Sequence, residues 1–151
     1  MRVARETGSV RHARIQCRRT LSHRELETKA PVDDETKVAN LKSRVRTFCE
    51  ARDWDQFHGP KDLAIGLATE AGELLEIFRF LSDEQCAAKL ADPESRRAIE
   101  NELADVFFFL LRFAQRFDID LDAALAAKMK LNAERYPVEK SRGKNLKYGD
   151  L

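Results

Sequence analysis

The stretch that most limits what this chain can fold into is Lys61 to Leu81, KDLAIGLATEAGELLEIFRFL. It contains no proline and is rich in strong helix formers. At about 100° per residue, Leu63, Leu67, Ala71, Leu74, Phe78 and Leu81 share one broad face, and Ala64, Ala68 and Leu75 widen it. A helix apolar around so much of its circumference is expected inside a bundle. Yet Glu70, Glu73 and Glu76 recur at every third position, with Gly66, Thr69 and Phe80 along the same side. Like charges at this spacing repel by roughly a few tenths of a kcal/mol. Burial raises that cost steeply unless positive charge sits opposite.

A second stretch answers the first. Residues 102–111 read ELADVFFFLL, so Glu102 and Asp105 form another i, i+3 carboxylate pair, here within an almost continuous apolar run. An unpaired, ionised Asp buried in such a run is costly or becomes protonated. If the two helices lie side by side, up to five carboxylates converge, of which Glu76 drifts furthest round its helix. Neither acidic patch offers a Lys or Arg to neutralise it. The economical partner is a hard divalent cation that prefers carboxylate and water oxygens, Mg²⁺ above all, with Mn²⁺ able to substitute.

The rest of the chain reads as helices joined by short connections. With 151 residues, six glycines and four prolines, one helix-rich domain is expected. Asp33 or Asp34 can cap a first helix reaching about Arg52, with Val38, Leu41, Val45 and Phe48 on one side. The loop RDWDQFHGP follows, and Gly59-Pro60 suits the start of the acidic helix. The aromatic residues Trp54, Phe57 and His58 in this loop either pack it onto the bundle or form a stacking wall for a flat ligand. Ser82-x-x-Gln85 is a capping box for a short helix. Asp92-Pro93 starts a long helix to about Phe117, and Asp120 caps a last one that Pro137 stops. The expected architecture is all-α: a four-helix bundle with a short extra helix, spanning residues 33–137. The aperiodic basic tail, 138–151, is expected to loop over the surface. Residues 1–32 hold most of the chain's basic excess without sustained periodicity, and are expected to be a disordered N-terminal extension.

Three widely spaced cysteines (Cys17, Cys49, Cys86) with no C-x-x-C argue against a disulfide framework or a thiolate metal site and suit a reducing cytoplasm. No membrane span, secretory signal or specific nucleic-acid partner is expected. A ferritin-like di-iron bundle needs Glu-x-x-His motifs. None of His12, His23 and His58 falls on an expected bundle helix, and the same lack of nitrogen and sulfur ligands disfavours zinc. Clustered carboxylates with Mg²⁺ point instead to phosphate chemistry. Candidate phosphate-binding cations are Lys128 and Arg135, seven apart on one face of the last helix with Asn132 between them, although cations late in a helix also simply complement its dipole.

ATEAGELLE followed by NELADV resembles the E-x-x-E … E-x-x-D signature of the MazG-like all-α nucleotide pyrophosphohydrolases. RDWDQFHGPKDL, EIFRF and KMKLNAERYP are similar to the dCTP pyrophosphatase branch, over roughly residues 36–148. The resemblance implies hydrolysis of a nucleoside triphosphate to the monophosphate and pyrophosphate. It implies Mg²⁺ held by Glu70, Glu73, Glu102 and Asp105, a base flanked by Trp54 and Phe80, and nucleotide contacts from Lys128 and Asn132, with Arg135 on the same helix face. It also implies a homodimer or homotetramer. The branch often carries Trp at position 80 and Tyr at position 109, where this chain has Phe, which bears on base and sugar selectivity. The expected chemistry is in-line attack of water at the α-phosphorus, with Glu73 or Glu70 orienting the water or taking its proton. The alternative is a non-catalytic helical module that senses nucleotides or binds a partner helix.

Overall fold

The computed structural model describes residues 33–151; the expected N-terminal extension lies outside them. The first helix begins later than its acidic residues suggest. Asp33–Glu35 closes a single 3-10 turn, with the Thr36 N–H donating to the Asp33 carbonyl. Helix α1 then runs Val38–Glu50 from an extended Lys37 that provides no side-chain cap. A short 3-10 helix, Trp54–Phe57, follows, entered through Asp53 in the left-handed region. Gly59, extended, and Pro60 start helix α2, Pro60–Phe78. α2 stops short of Leu81, because Arg79 leaves the helical region and Phe80 turns to a φ of 62°.

The capping box is formed as the sequence suggests. The Gln85 N–H donates to Ser82 Oγ and the Ser82 N–H to Gln85 Oε1, starting helix α3, Asp83–Ala91. Asp92 accepts from the Ser95 N–H at 2.8 Å and opens helix α4, Pro93–Arg116. Asp120 does the same for helix α5, Leu121–Arg135, accepting from the Ala123 N–H at 3.0 Å. The C-terminal tail has more order than its aperiodicity implies. It carries helix α6, Val138–Ser141, and a 3-10 turn, Tyr148–Asp150, whose Tyr148 ring meets Tyr136 edge-on. No strand occurs among the described residues, so the all-α class is as expected.

α4 is the spine of the packing, with α2 along one side, α1 along another and α3 folded back onto it. α2 and α4 run antiparallel: Gly66 meets Phe109, and one turn further along α2 Glu70 meets Asp105, one turn earlier on α4. The strip of α2 withdrawn from solvent contains Leu63, Gly66, Leu67, Glu70, Leu74 and Ile77. Its other flanks stay open, with Ile65 and Leu75 more than half exposed. The expectation of burial all round is therefore corrected: one chain gives α2 a single long partner. α5 shares no packed seam with another described helix, and its Leu125 and Met129 are exposed. Among the described residues the buried apolar set is small: Cys49, Leu63, Ile99, Leu111 and Ala114. No described helix is long and apolar enough to cross a membrane.

Candidate functional site

The site is built on the α2–α4 seam. At Gly66 the Phe109 ring lies so close that any Cβ would collide with it. The missing side chain lets the two helices approach closely. One turn along, Glu70, Glu102 and Asp105 each offer a carboxylate oxygen within 4.8 Å of the other two. Glu70 and Glu102 are half-buried. Asp105 is exposed at the edge of the seam, so the expected burial of this residue in its apolar run does not occur. Convergence of like charge, rather than deep burial of Asp105, is what calls for a counter-ion.

The Glu70 carboxyl is held above the usual carboxylate range, first by burial and then by the charges of Glu73, Asp105 and Glu102. Among the described residues, no Lys or Arg forms an ion pair with any of the three convergent carboxylates. Three hard oxygen donors on two helices, without a protein cation, fit a divalent metal with open positions for water or phosphate.

Glu73 stands outside the trio, since three residues turn it about 60° round α2 from Glu70, although its charge is felt there. Glu76 is paired with Arg79 at 2.7 Å, so the expectation that no cation lies near the acidic stripe fails at its last member. The convergence is of three carboxylates, not five.

An apolar groove of about 370 Å³ runs between α1 and α4. Leu41, Arg44, Val45, Phe48, Ala104, Phe107, Phe108 and Leu111 line it, and Ala104 is the chain neighbour of Asp105. Its size falls within the range of small-molecule sites. Trp54 is packed edge-on to Phe48 at 5.8 Å and to His58 at 6.2 Å, while Phe48 meets Phe108 edge-on at 5.9 Å. Trp54 therefore packs on the bundle, against Phe48, which lines the groove. Phe80 is 89% exposed in the turn after α2, with the Arg79 guanidinium 4.6 Å from its ring centre. Lys128, Asn132 and Arg135 lie on α5, and Arg135 sits over the Tyr148 ring. No contact described within the single chain joins them to the carboxylates.

The sequence reading missed Arg112. It is fully buried, and each arm of its guanidinium is occupied. Nε–H donates to His58 Nδ1 at 2.9 Å, one Nη to Gln115 and the other to Asp55. The available signal was an Arg inside the apolar run FFFLLRFA, where burial demands partners.

Comparison with known proteins follows the same lines. Residues 65–151 match the MazG-like family. The rat protein dCTP pyrophosphatase 1 is 43% identical over 104 residues, 69% of this chain and 61% of that one. The human protein of the same name is 38% identical over the same length. The matched segment thus spans about 61% of these curated relatives' length. A crystal structure of a pyrophosphatase from Archaeoglobus fulgidus superposes with a TM-score of 0.62 at 33% identity, covering 66% of this chain and 91% of that one. The helical scaffold and its paired acidic helices define a MazG-type fold. The chain belongs to the MazG-like family.

Proposed function

We propose that the protein is a metal-dependent nucleoside triphosphate pyrophosphohydrolase, converting a (d)NTP to the monophosphate and pyrophosphate. The convergence of Glu70, Glu102 and Asp105 across the α2–α4 seam carries this reading. Those three residues would hold Mg²⁺, or Mn²⁺ in its place. Bound there, the cation supplies neutralisation of phosphate charge and acidification of water. Glu73, beside the trio, completes the acidic set and orients the attacking water or accepts its proton. The groove between α1 and α4 receives the base, with Trp54 behind one wall. Phe80, exposed in the turn after α2 and outside the lining of this groove, would supply the second aromatic contact to the base. The names of the mammalian relatives favour dCTP or a modified pyrimidine nucleotide as substrate.

The working form is a homodimer or homotetramer. The exposed apolar residues of α5 and of the open flanks of α2 favour association. Association brings Lys128, Asn132 and Arg135 to the nucleotide of a neighbouring subunit. The free thiols Cys49 and Cys86 suit a reducing, cytoplasmic setting.

The test is pyrophosphate release from a panel of standard and modified (d)NTPs, with Mg²⁺ and with chelator. Metal-dependent release with monophosphate as co-product is the expected result. No release from any nucleotide by folded protein removes the enzyme reading and leaves a nucleotide-binding module.

A further inference from the structure

Arg112 lies outside the machinery described above, yet it is the largest fully buried side chain in the described structure. A charge taken out of water is costly unless it is paired and hydrogen-bonded, and here each of the three guanidinium nitrogens has an acceptor. Its partners are not scattered. Asp55 and His58 both belong to the loop that joins α1 to α2, and Gln115 is the next turn of α4. Arg116 reinforces the same point, donating to the Asp55 carbonyl at 3.3 Å and standing 3.9 Å from its carboxylate.

The loop needs such an anchor. Asp53 occupies the left-handed region at a φ of 53°, a conformation that costs a non-glycine residue free energy. Gln56 bridges back to the Asp53 carbonyl and carboxylate, which fixes the turn internally but not against the bundle. Arg112 supplies that attachment. Its planar fork meets Asp55 and His58 three residues apart, so it sets both the position and the rotation of the 3-10 helix. Trp54 is the residue immediately before Asp55, and its ring packs against His58 and Phe48. The clamp on Asp55 and His58 therefore dictates where the indole stands relative to the groove.

We propose that Arg112 is a positioning residue for substrate binding: through Asp55 and His58 it locks the loop that sets Trp54 against Phe48, a wall residue of the groove. The inference rests on the pyrophosphohydrolase reading for its kinetic consequence. The carboxylates lie on α2 and α4, outside the clamped loop, so loosening the clamp weakens substrate binding and leaves the chemical step intact.

Trp54 is the only tryptophan in the sequence, so intrinsic fluorescence reports on this loop directly. The experiment uses the full chain and three variants. Arg112→Met removes the charge and the fork, Arg112→Lys keeps the charge without the fork, and His58→Asn keeps an acceptor close to the position of Nδ1. Each is followed by Trp54 emission, acrylamide quenching, and the KM and kcat of Mg²⁺-dependent pyrophosphate release. Both Arg112 variants are expected to shift the emission to the red and to expose the indole to quencher. KM should rise about tenfold while kcat stays within about twofold. His58→Asn keeps an acceptor for Arg112 but loses the ring that meets Trp54 edge-on, so it should shift the emission to the red with a smaller rise in KM than the Arg112 variants. If Arg112→Met does not fold, Arg112→Lys decides alone.

A lysine variant with wild-type emission and KM overturns the proposal. So does a loss confined to kcat with the emission unchanged, which marks an ordinary contribution to stability. A red shift without any rise in KM also overturns it, because the indole would then move without consequence for binding. Absence of pyrophosphate release by the wild-type protein instead defeats the enzymatic reading; the clamp on Trp54 is then judged by the emission and quenching data alone.

Discussion

Replacing Gly66 by alanine sets two measurable effects against each other. On an exposed helix the change stabilises by about 0.8–1.0 kcal/mol, because alanine gives up less backbone freedom than glycine. At Gly66 the new methyl would occupy space held by the Phe109 ring. To restore an ordinary carbon–carbon separation, the ring or the α4 backbone must retreat by about 1 Å. The ring is itself held edge-on against Phe108 at 5.6 Å, which limits its escape. Overpacking of this kind costs about 1–3 kcal/mol. The net expectation is destabilisation of about 1 kcal/mol, or a fall in Tm of roughly 3–4 °C. Thermal unfolding followed by circular dichroism, at fixed protein and metal concentration, reads this directly. Because Glu70 and Asp105 lie one turn away on the same seam, metal affinity should fall in parallel. Adding Phe109→Leu to the alanine variant should recover much of the lost stability. A Gly66→Ala protein stabilised by the full helix-propensity gain would refute the close-approach argument, since it would mean that nothing opposes the methyl group.

Three further outcomes are expected. Glu70→Gln removes one of three converging charges, so metal-free protein should unfold at the same or a higher temperature, while metal-dependent turnover falls by at least about 100-fold; a Tm loss in the metal-free state would contradict the repulsion inferred at the trio. Met129→Glu on α5 should lower the oligomeric state seen by light scattering, and unchanged mass would show that this face is not the contact. His58 is held below the ordinary imidazole value of 6.5, first by burial and then by Arg112. The unfolded chain therefore binds the proton more readily, so the stability due to neutral His58 is complete above that value and is lost as pH falls through it towards the depressed folded value. His58→Asn should flatten that part of the pH–stability curve, and an unaltered curve would remove His58 as its source.

Much of this protein is legible in one dimension because helix signals are local. The Ser82–Gln85 box, Asp92-Pro93 and Asp120 each mark a helix start by hydrogen bonds made within three residues, and all three helices begin where those residues stand. The carboxylate pairs at i, i+3 are equally local, and their spacing is visible in the sequence before any fold is known. The first helix starts later than Asp33 and Asp34 suggest, because those residues belong to a separate 3-10 turn and the extended Lys37 precedes Val38. Aromatic contact between Tyr136 and Tyr148 gives the tail order that its composition does not announce.

What sequence alone determined, then, is the set of helices and the two acidic turns, since both follow from the spacing of neighbours along the chain. Only the tertiary structure decided which carboxylates meet. Antiparallel registry through Gly66 and Phe109 brings Glu70 to Glu102 and Asp105, leaves Glu73 to one side, and lets Arg79 take Glu76. Only the tertiary structure reveals Arg112 as the anchor of the aromatic loop, because its partners at 55 and 58 are more than fifty residues away. Periodicity shows which side of a helix is apolar. It carries no record of how far that helix slides along its partner, and at this site the slide sets the chemistry.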